Sequence, residues 1–161
     1  MRSLLYALLA SLLLVALISA PASAQNVRWI IGGHMGLSVG DGNAGFHIGP
    51  MAEALFERTY AVGTELNINS QSGTPIEWPF YFKYYFKIRG SEIIPYADGG
   101  MSLWFYTGGP YFGLRFGGGI NIPIARNLYA APDMQFGPVF ATGNTVFYFL
   151  IRGGIRYYLR G

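Results

Sequence analysis

Several features that would define a common class of protein are missing from this sequence of 161 residues. It has no cysteine, which excludes a disulfide scaffold and also a lipid-modified N-terminal cysteine as a membrane tether. Charged residues make up only 12% of the chain, against about 25% in a typical soluble protein. After Ile18 no apolar run approaches the ~20 residues that a membrane-spanning helix needs. The chain is too apolar for a soluble domain, yet it lacks a spanning helix.

Aromatic residues and glycine are abundant instead, with 17% of the chain aromatic and 23 glycines. An apolar chain without a spanning helix has one good way to reside in lipid. It closes a β-barrel, in which every backbone N–H and C=O group is paired between strands. The composition therefore favours an all-β membrane protein.

Other binding functions have little support. The net charge of +3 is small, and no basic patch with interleaved aromatic residues indicates nucleic acid. Two histidines, no cysteine and scattered carboxylates give no metal-ligand spacing. The run Gly117, Gly118 and Gly119 is followed by no helix, so it is no phosphate loop. We expect no metal, no cofactor and no nucleic-acid partner.

The first 24 residues predict a cleaved secretory signal peptide. Arg2 supplies a positive charge, residues 4–18 form an apolar run, and residues 22–24 read Ala-Ser-Ala, a small-residue cleavage pattern. The alternative is a retained N-terminal anchor. The predicted organisation is a signal peptide over residues 1–24 followed by one transmembrane β-barrel domain over residues 25–161.

Two-residue alternation of apolar and polar side chains predicts eight strands. It is clearest near the C-terminus, where Arg152, Arg156 and Arg160 share one face and the other face carries none. The predicted strands cover residues 29–38, 46–53, 60–68, 76–88, 93–105, 111–122, 127–140 and 145–159. Short breaks rich in Gly, Asn, Ser and Pro separate them, as hairpins require. We expect an eight-stranded antiparallel up-and-down barrel.

The volume of the side chains decides which face points outward. The interior of an eight-stranded barrel is just wide enough for its side chains to fill. The apolar face carries most of the Phe and Trp, which is too much volume for that interior, so we expect it to face membrane lipids. A soluble, lipocalin-like barrel with the apolar face inward is the alternative. Aromatic residues near strand ends on the apolar face fit an interfacial girdle, namely Trp29, Trp78, Phe105, Phe147 and Tyr157.

The end of the chain carries a further pattern. Residues 152–159 read polar-x-Gly-x-x-hydrophobic-x-hydrophobic, through Arg152, Gly154, Tyr157 and Leu159. This is similar to the last-strand signal that the outer-membrane assembly machinery reads. With the signal peptide, the eight alternating strands and the small size, the sequence resembles the eight-stranded outer-membrane barrels of the OmpA/OmpX type. The resemblance implies a location in the bacterial outer membrane and an interaction with that machinery. The loops that carry adhesion in that family are short here, so adhesion is not supported.

Eight charged residues on the polar face are predicted to form a network inside the barrel. They are Glu65, Glu77, Lys83, Asp98, Arg115, Asp133, Arg152 and Arg156. Glu65 and Glu77 lie on neighbouring strands and are expected to share the Lys83 side of this network. Buried charges must be paired to be tolerable. The pattern therefore predicts a lumen that ion pairs keep largely closed.

The turn positions predict a register for this network. A last hairpin centred between residues 142 and 143 places Asp133 opposite Arg152. A preceding turn centred near residue 124 places Arg115 opposite Asp133 from the other side. A turn near residue 90 or 91 places Lys83 opposite Asp98, or one pair away. Opposed charges then meet near the middle of the barrel.

A structural or scaffold role without enzymatic activity is the function that these observations favour. A narrow porin-like channel for small solutes is the alternative, because the lumen-facing glycines leave space. A lipid-A-modifying enzyme is a third hypothesis and depends on His34, Ser38 and His47. His34 and Ser38 are four residues apart on one strand, roughly 13 Å, which is too far for a hydrogen bond. His47 on the next strand could approach either of them.

Overall fold

The computed structural model describes residues 27–40, 42–71, 73–106, 108–141 and 143–159, so the predicted signal peptide over residues 1–24 lies outside the described residues. Within these ranges no helix is long and apolar enough to cross a membrane. The strand segments are β1 (Arg28–Gly40), β2 (Asn43–Phe56), β3 (Tyr60–Glu65), β4 (Asn67–Asn69), β5 (Ile76–Tyr85), β6 (Ile94–Tyr106), β7 (Gly109–Ala125), β8 (Leu128–Ala130), β9 (Asp133–Ala141) and β10 (Asn144–Tyr158).

These segments form eight strands that close into a ring. β3 and β4 are one strand interrupted at Leu66, and β8 and β9 are one strand interrupted at Ala131 and Pro132. Each strand pairs antiparallel with the next, and β10 pairs with β1 from Ile30↔Tyr158 onward, which closes the ring. The predicted all-β, eight-stranded up-and-down barrel is confirmed. Because the ring is closed, no strand presents an unpaired edge to lipid.

The two faces of the barrel wall are as the alternation predicted. Large apolar side chains point outward, and Phe147 is 71% and Trp29 55% exposed. Polar side chains point inward, and Arg115 and Glu77 are both fully buried. This is the reverse of a soluble barrel, so the lipocalin-like alternative is wrong. The five predicted girdle residues are all exposed on the outer surface.

Two of the three predicted cross-strand pairs are confirmed and one is wrong. Asp133 lies opposite Arg152, and Lys83 lies opposite Asp98. Asp133 faces Gly119 on its other side, not Arg115. The strand β7 continues to Ala125, through the predicted turn centre near residue 124, since Pro123 sits at a register shift where its missing N–H is tolerated. The turn falls at residues 126 and 127 instead.

Apolar clusters occupy both ends of the lumen. We call the end that holds Arg28 and Tyr158 the terminal end and the other the hairpin end. At the terminal end the buried cluster consists of Ile30, Met51, Leu55, Ala61, Tyr85, Tyr96 and Tyr158. At the hairpin end it consists of Trp104, Val139, Tyr148 and Leu150. The charged side chains lie between these two clusters, away from bulk water.

Candidate functional site in the barrel lumen

Glu65 is the centre of the buried charges. It ends β3, and the guanidinium of Arg115 on β7 donates to both its carboxylate oxygens, Nη1 to Oε2 at 2.7 Å and Nη2 to Oε1 at 3.0 Å. Arg152 on β10 donates through Nη1 to Oε2 at 2.7 Å. No two of these three strands are neighbours in the ring. The three side chains therefore bridge the lumen with charge-assisted hydrogen bonds, which are the strong class.

Asp133 extends this cluster toward the terminal end. Arg152 donates through Nε and Nη2 to its two oxygens, at 2.6 and 2.9 Å. The Tyr96 hydroxyl donates to Asp133 Oδ2 at 2.9 Å and accepts from Arg156 Nη2 at 2.8 Å. Arg156 also donates through Nη1 to Asn121 Oδ1 at 3.0 Å. Arg156 thus reaches Asp133 mainly through a tyrosine hydroxyl.

Asp98 joins the cluster through a glutamine. Arg115 Nε donates to Gln135 Oε1 at 3.1 Å, and Gln135 Nε2 donates to Asp98 Oδ2 at 3.1 Å. Asp98 Oδ1 lies 3.9 Å from Arg115 Nε. Gly117 borders this bridge, and a Cβ atom there would collide with the Gln135 side chain. The glycine therefore leaves the space that the amide needs.

Lys83 belongs to a separate group. It forms its ion pair with Glu53 on β2, across the lumen. The hydroxyls of Tyr81 and Tyr85 donate to the same carboxylate at 3.0 and 2.6 Å. The expectation that Glu65 and Glu77 share the Lys83 side is wrong. Sequence reasoning omitted Glu53 from the network because hairpin turns predict pairs on adjacent strands only.

Glu77 is the exception among the predicted residues. It is fully buried, and its Oε2 accepts from Asn67 Nδ2 at 2.9 Å. The same amide nitrogen lies 3.2 Å from Glu65 Oε2. Within the described ranges, Glu77 Oε1 has no hydrogen-bond partner and the carboxylate has no ion pair. Its cross-strand neighbour on β6 is Trp104, part of the aromatic cluster at the hairpin end.

The buried charges of the lumen do not balance. In the part of the chain that the structure describes, four cations are buried, namely Lys83, Arg115, Arg152 and Arg156. Five carboxylates are buried, namely Glu53, Glu65, Glu77, Asp98 and Asp133. With neutral histidines the lumen carries one excess negative charge. Glu77 is the carboxylate that forms no ion pair in this part of the chain, and Arg115 and Arg152 act on it from a greater distance.

The histidines form no nucleophile–base pair with Ser38. The rings of His34 and His47 stack, with centroids 5.1 Å apart. His34 Nε2 lies 3.0 Å from Asn67 Oδ1, and His47 Nδ1 lies 3.1 Å from Asn69 Oδ1. The Ser38 hydroxyl donates to a backbone carbonyl at 3.3 Å. His34 Nε2 also lies 3.2 Å from Arg152 Nη1 and 3.6 Å from Glu65 Oε2, so this ring borders the central ion pairs and is not paired with Ser38.

The residues of the predicted assembly signal lie on both faces of β10 and just beyond it. Tyr157 and Leu159 face outward, toward lipid. Arg152 points into the lumen cluster, and Gly154 abuts His34 on β1, where a Cβ atom would be 3.0 Å from the histidine Cβ. Arg152 and Gly154 thus also have roles in packing the barrel. Recognition of this strand by the assembly machinery stays a prediction.

The fold matches solved outer-membrane barrels, while no protein-family model and no curated protein matches the sequence. Neisserial surface protein A superposes with a TM-score of 0.67 and 13% identity, covering 81% of this chain and 96% of that chain. The N-terminal β-barrel domain of Pseudomonas aeruginosa OprF gives 0.63 and 8%, covering 83% and 100%. The outer-membrane enzyme PagL gives 0.53 and 12%, covering 78% and 97%. At sequence identities this low, the structural similarity establishes the fold alone.

Proposed function

We propose that this chain, which has the fold of the eight-stranded outer-membrane barrels, has a structural role with a lumen that ion pairs hold closed. The fold and the apolar outer surface support a location in the bacterial outer membrane. The observation that carries the proposal is the clamp of Arg115 and Arg152 on Glu65. These three side chains come from three separate parts of the ring and cross the space through which a solute would pass.

The energetics of buried charges support a closed lumen. Separating Glu65 from either arginine breaks charge-assisted hydrogen bonds between fully buried groups, which costs on the order of several kcal/mol although Asp133 stays on Arg152 and Asp98 stays near Arg115. Apolar side chains cap the lumen above and below the ion pairs. A transient opening would have to break the ion pairs and displace a cap. A continuous aqueous path is therefore disfavoured at equilibrium.

Conductance of the refolded barrel in a planar bilayer tests this proposal. We expect the wild type to be silent, and Asp133→Ala to leak, because Arg152 loses two hydrogen bonds and can swing from its position. Glu92→Ala is the matched control, since Glu92 is an exposed acid outside the strands. Steady conductance of the wild type, altered by Asp133→Ala, would contradict the closed lumen.

A narrow channel for small solutes is the second candidate. A cavity of about 310 Å³ at the hairpin end, lined by Trp104, Tyr106 and Tyr148 among others, favours it. This cavity would be its outer vestibule, and the channel would have to continue past the Glu65 clamp. The same conductance measurement decides between the two candidates.

We propose no catalytic role. PagL, a structural neighbour, is described as an outer-membrane enzyme. In this chain, Ser38 donates to a backbone carbonyl and His47 contacts an amide side chain. His34 contacts an amide, Arg152 and Glu65, and not Ser38. A change in lipid A mass that depends on this protein, and that is lost in Ser38→Ala, would contradict the proposal. An unchanged mass with abundant protein would agree with it.

A further inference from the structure

Charged side chains outside the lumen are concentrated at the terminal end of the barrel. They lie at the start of β1 and in the three turns that close this end, and we call them the basic rim: Arg28, Glu57, Arg58, Lys87, Arg89, Glu92 and Arg126. Five cations stand against two acids, which leaves the rim an excess of three positive charges. At the hairpin end, by contrast, Asp41 is the only charged residue that the sequence has in residues 40–43, 70–75, 106–109 and 141–144.

The cations of the basic rim are not neutralised within the protein. Within the described ranges, every ion pair lies in the lumen and none includes a residue of the rim. Lys87 Nζ donates to the backbone carbonyl of Glu57 at 3.4 Å, a contact that leaves its charge uncompensated. Arg58, Arg89 and Arg126 are exposed. The rim therefore presents its positive charge to molecules outside the barrel.

Aromatic side chains on the outer wall indicate the depth of the rim in the membrane. Tyr60, Tyr84 and Phe86 form an exposed cluster, with ring centroids 5.4 Å apart for Tyr60 and Tyr84 and 4.9 Å apart for Tyr84 and Phe86. Aromatic girdles of this kind lie at the membrane–water interface of outer-membrane barrels. Arg58 is two residues from Tyr60 and Lys87 is next to Phe86, which is at most about 7 Å at a rise of roughly 3.3 Å per residue. The cations therefore lie at the level of the lipid headgroups.

The distribution of the cations around the barrel favours lipids over a protein partner. Arg58, Arg89 and Arg126 belong to the β2–β3, β5–β6 and β7–β8 turns, and Arg28 begins β1, beside β10. The positive charge thus encircles the barrel. A protein partner would cover one side of the rim, whereas lipid headgroups surround the barrel and reach every cation. Phosphate is also an anion that a guanidinium binds through paired, charge-assisted hydrogen bonds.

We propose that the basic rim binds anionic phospholipid headgroups, of the phosphatidylglycerol class, in the leaflet at the terminal end. Lys and Arg side chains close to a membrane surface attract anionic lipids, and the aromatic girdle holds these side chains at headgroup depth. The described turns of the hairpin end carry no cation, so no such preference is expected there. The inference goes beyond the structural role proposed above, and it holds whether or not the lumen conducts.

Two lipid-facing tryptophans allow the two ends of the barrel to be measured separately. Trp29 follows Arg28 at the terminal end, and Trp78 lies two residues from the hairpin-end start of β5. The full barrel is refolded in vesicles of phosphatidylcholine and phosphatidylglycerol, in which one lipid or the other carries brominated acyl chains that quench an adjacent tryptophan. Trp104 is buried and gives the same background throughout. Both leaflets have the same composition, so the direction of insertion does not affect the result.

The lipid preference at Trp29 is the expected result. In Trp78→Phe, where Trp29 reports, brominated phosphatidylglycerol should be about threefold or more enriched beside the barrel relative to brominated phosphatidylcholine. In Trp29→Phe, where Trp78 reports, the two lipids should quench equally. Equal quenching of Trp29 by the two lipids, or the same preference at Trp78, would overturn the proposal.

Charge variants test which side chains carry the preference. Arg28→Gln/Arg58→Gln/Arg126→Gln removes the rim cations nearest to Trp29 around the ring, so the preference at Trp29 should disappear. Glu57→Gln is the matched control, because it changes an exposed charge beside Arg58 but removes an acid, and it should keep or raise the preference. An unchanged preference in the triple variant would contradict the rim.

Salt tests the same attraction without any substitution in the rim, and so keeps the test decisive if the triple variant fails to fold. Sodium chloride should lower the preference at Trp29, since exposed charges are screened beyond about 10 Å at 0.1 M and over shorter distances at higher concentrations. A preference that salt leaves unchanged would contradict an electrostatic origin and overturn the proposal. Conductance is measured separately, so a conducting barrel with this lipid preference would contradict the closed lumen but not the basic rim.

Discussion

Glu65 and Glu77 occupy comparable places on neighbouring stretches of the lumen wall, yet their surroundings differ completely. Both are buried, and one Asn67 amide nitrogen is close to both carboxylates. Glu65 forms ion pairs with two arginines, while Glu77 forms none in the described part of the chain and feels Arg115 and Arg152 from a greater distance. The comparison teaches that a charge on the lumen face does not by itself indicate a salt bridge. What matters is which side chains cross the lumen at the same level.

The level of each carboxylate explains the difference. Arg115 and Arg152 converge on Glu65 from distant strands. Toward the hairpin end, Trp104 and Tyr148 occupy the corresponding space with aromatic rings. The centre of the barrel is therefore a place where charges neutralise one another. Glu77 lies outside this set of ion pairs and is held by the Asn67 amide.

The largest effect is expected at Glu65. Glu65→Gln removes the carboxylate that Arg115 and Arg152 share, and Arg115 then keeps only the more distant Asp98 as a counter-charge. The free energy of unfolding should fall by about 3–5 kcal/mol, since a buried charge is left without its partner. Urea unfolding of the barrel in lipid vesicles, followed by tryptophan fluorescence, measures it. A loss no larger than that of the exposed control Glu92→Gln would refute the clamp.

A smaller loss of stability is expected when Lys83, the cation of the separate group around Glu53, is removed. In Lys83→Met, Glu53 keeps the hydroxyls of Tyr81 and Tyr85 as donors, so part of its charge remains solvated by the protein. The free energy of unfolding should fall by about 2–3 kcal/mol in the same measurement. If Lys83→Met lowers the free energy of unfolding by more than Glu65→Gln does, the ion pairs around Glu65 are not the stronger of the two groups.

Much of this fold could be predicted from the sequence, because strand alternation has a period of two and assigns every side chain to a face. The cross-strand pairs Asp133–Arg152 and Lys83–Asp98 could also be predicted, since each depends on one recognisable turn between adjacent strands. The prediction that Arg115 lies opposite Asp133 was wrong because β7 continues past Pro123, which moves the turn by two residues.

The clamp itself could not be predicted in this way. Arg115 and Glu65 lie on strands that are not neighbours, so no turn relates them. Their contact depends on the tilt and stagger of the whole barrel, which are properties of the closed ring. The Lys83–Glu53 pair escaped prediction for the same reason. Local sequence patterns thus predict which face each side chain occupies and which residues pair on adjacent strands. The closure of the ring determines the contacts across the lumen.

Packing around the clamp should be more sensitive than packing on the outer wall. Gly117→Ala places a methyl group against the Met134 carbonyl oxygen and against the Gln135 side chain that links Arg115 to Asp98, whereas a Cβ at Gly153 meets nothing within 4 Å. We expect Gly117→Ala to lower the free energy of unfolding by about 1–3 kcal/mol through overpacking. Gly153→Ala should stay within about 0.5 kcal/mol of the wild type. Equal effects of the two substitutions would contradict the close packing at Gly117.

The smallest effect on stability is expected at Glu77. Glu77→Gln keeps an oxygen that accepts from Asn67 and removes a buried charge that forms no close ion pair, so the free energy of unfolding should be unchanged or slightly higher. This is the opposite of Glu65→Gln, although the chemical change is identical.

Urea unfolding in lipid vesicles, as for Glu65→Gln, measures this difference. If Glu77→Gln instead costs as much as Glu65→Gln, then Glu77 is a paired structural charge, and the contrast between the two carboxylates disappears.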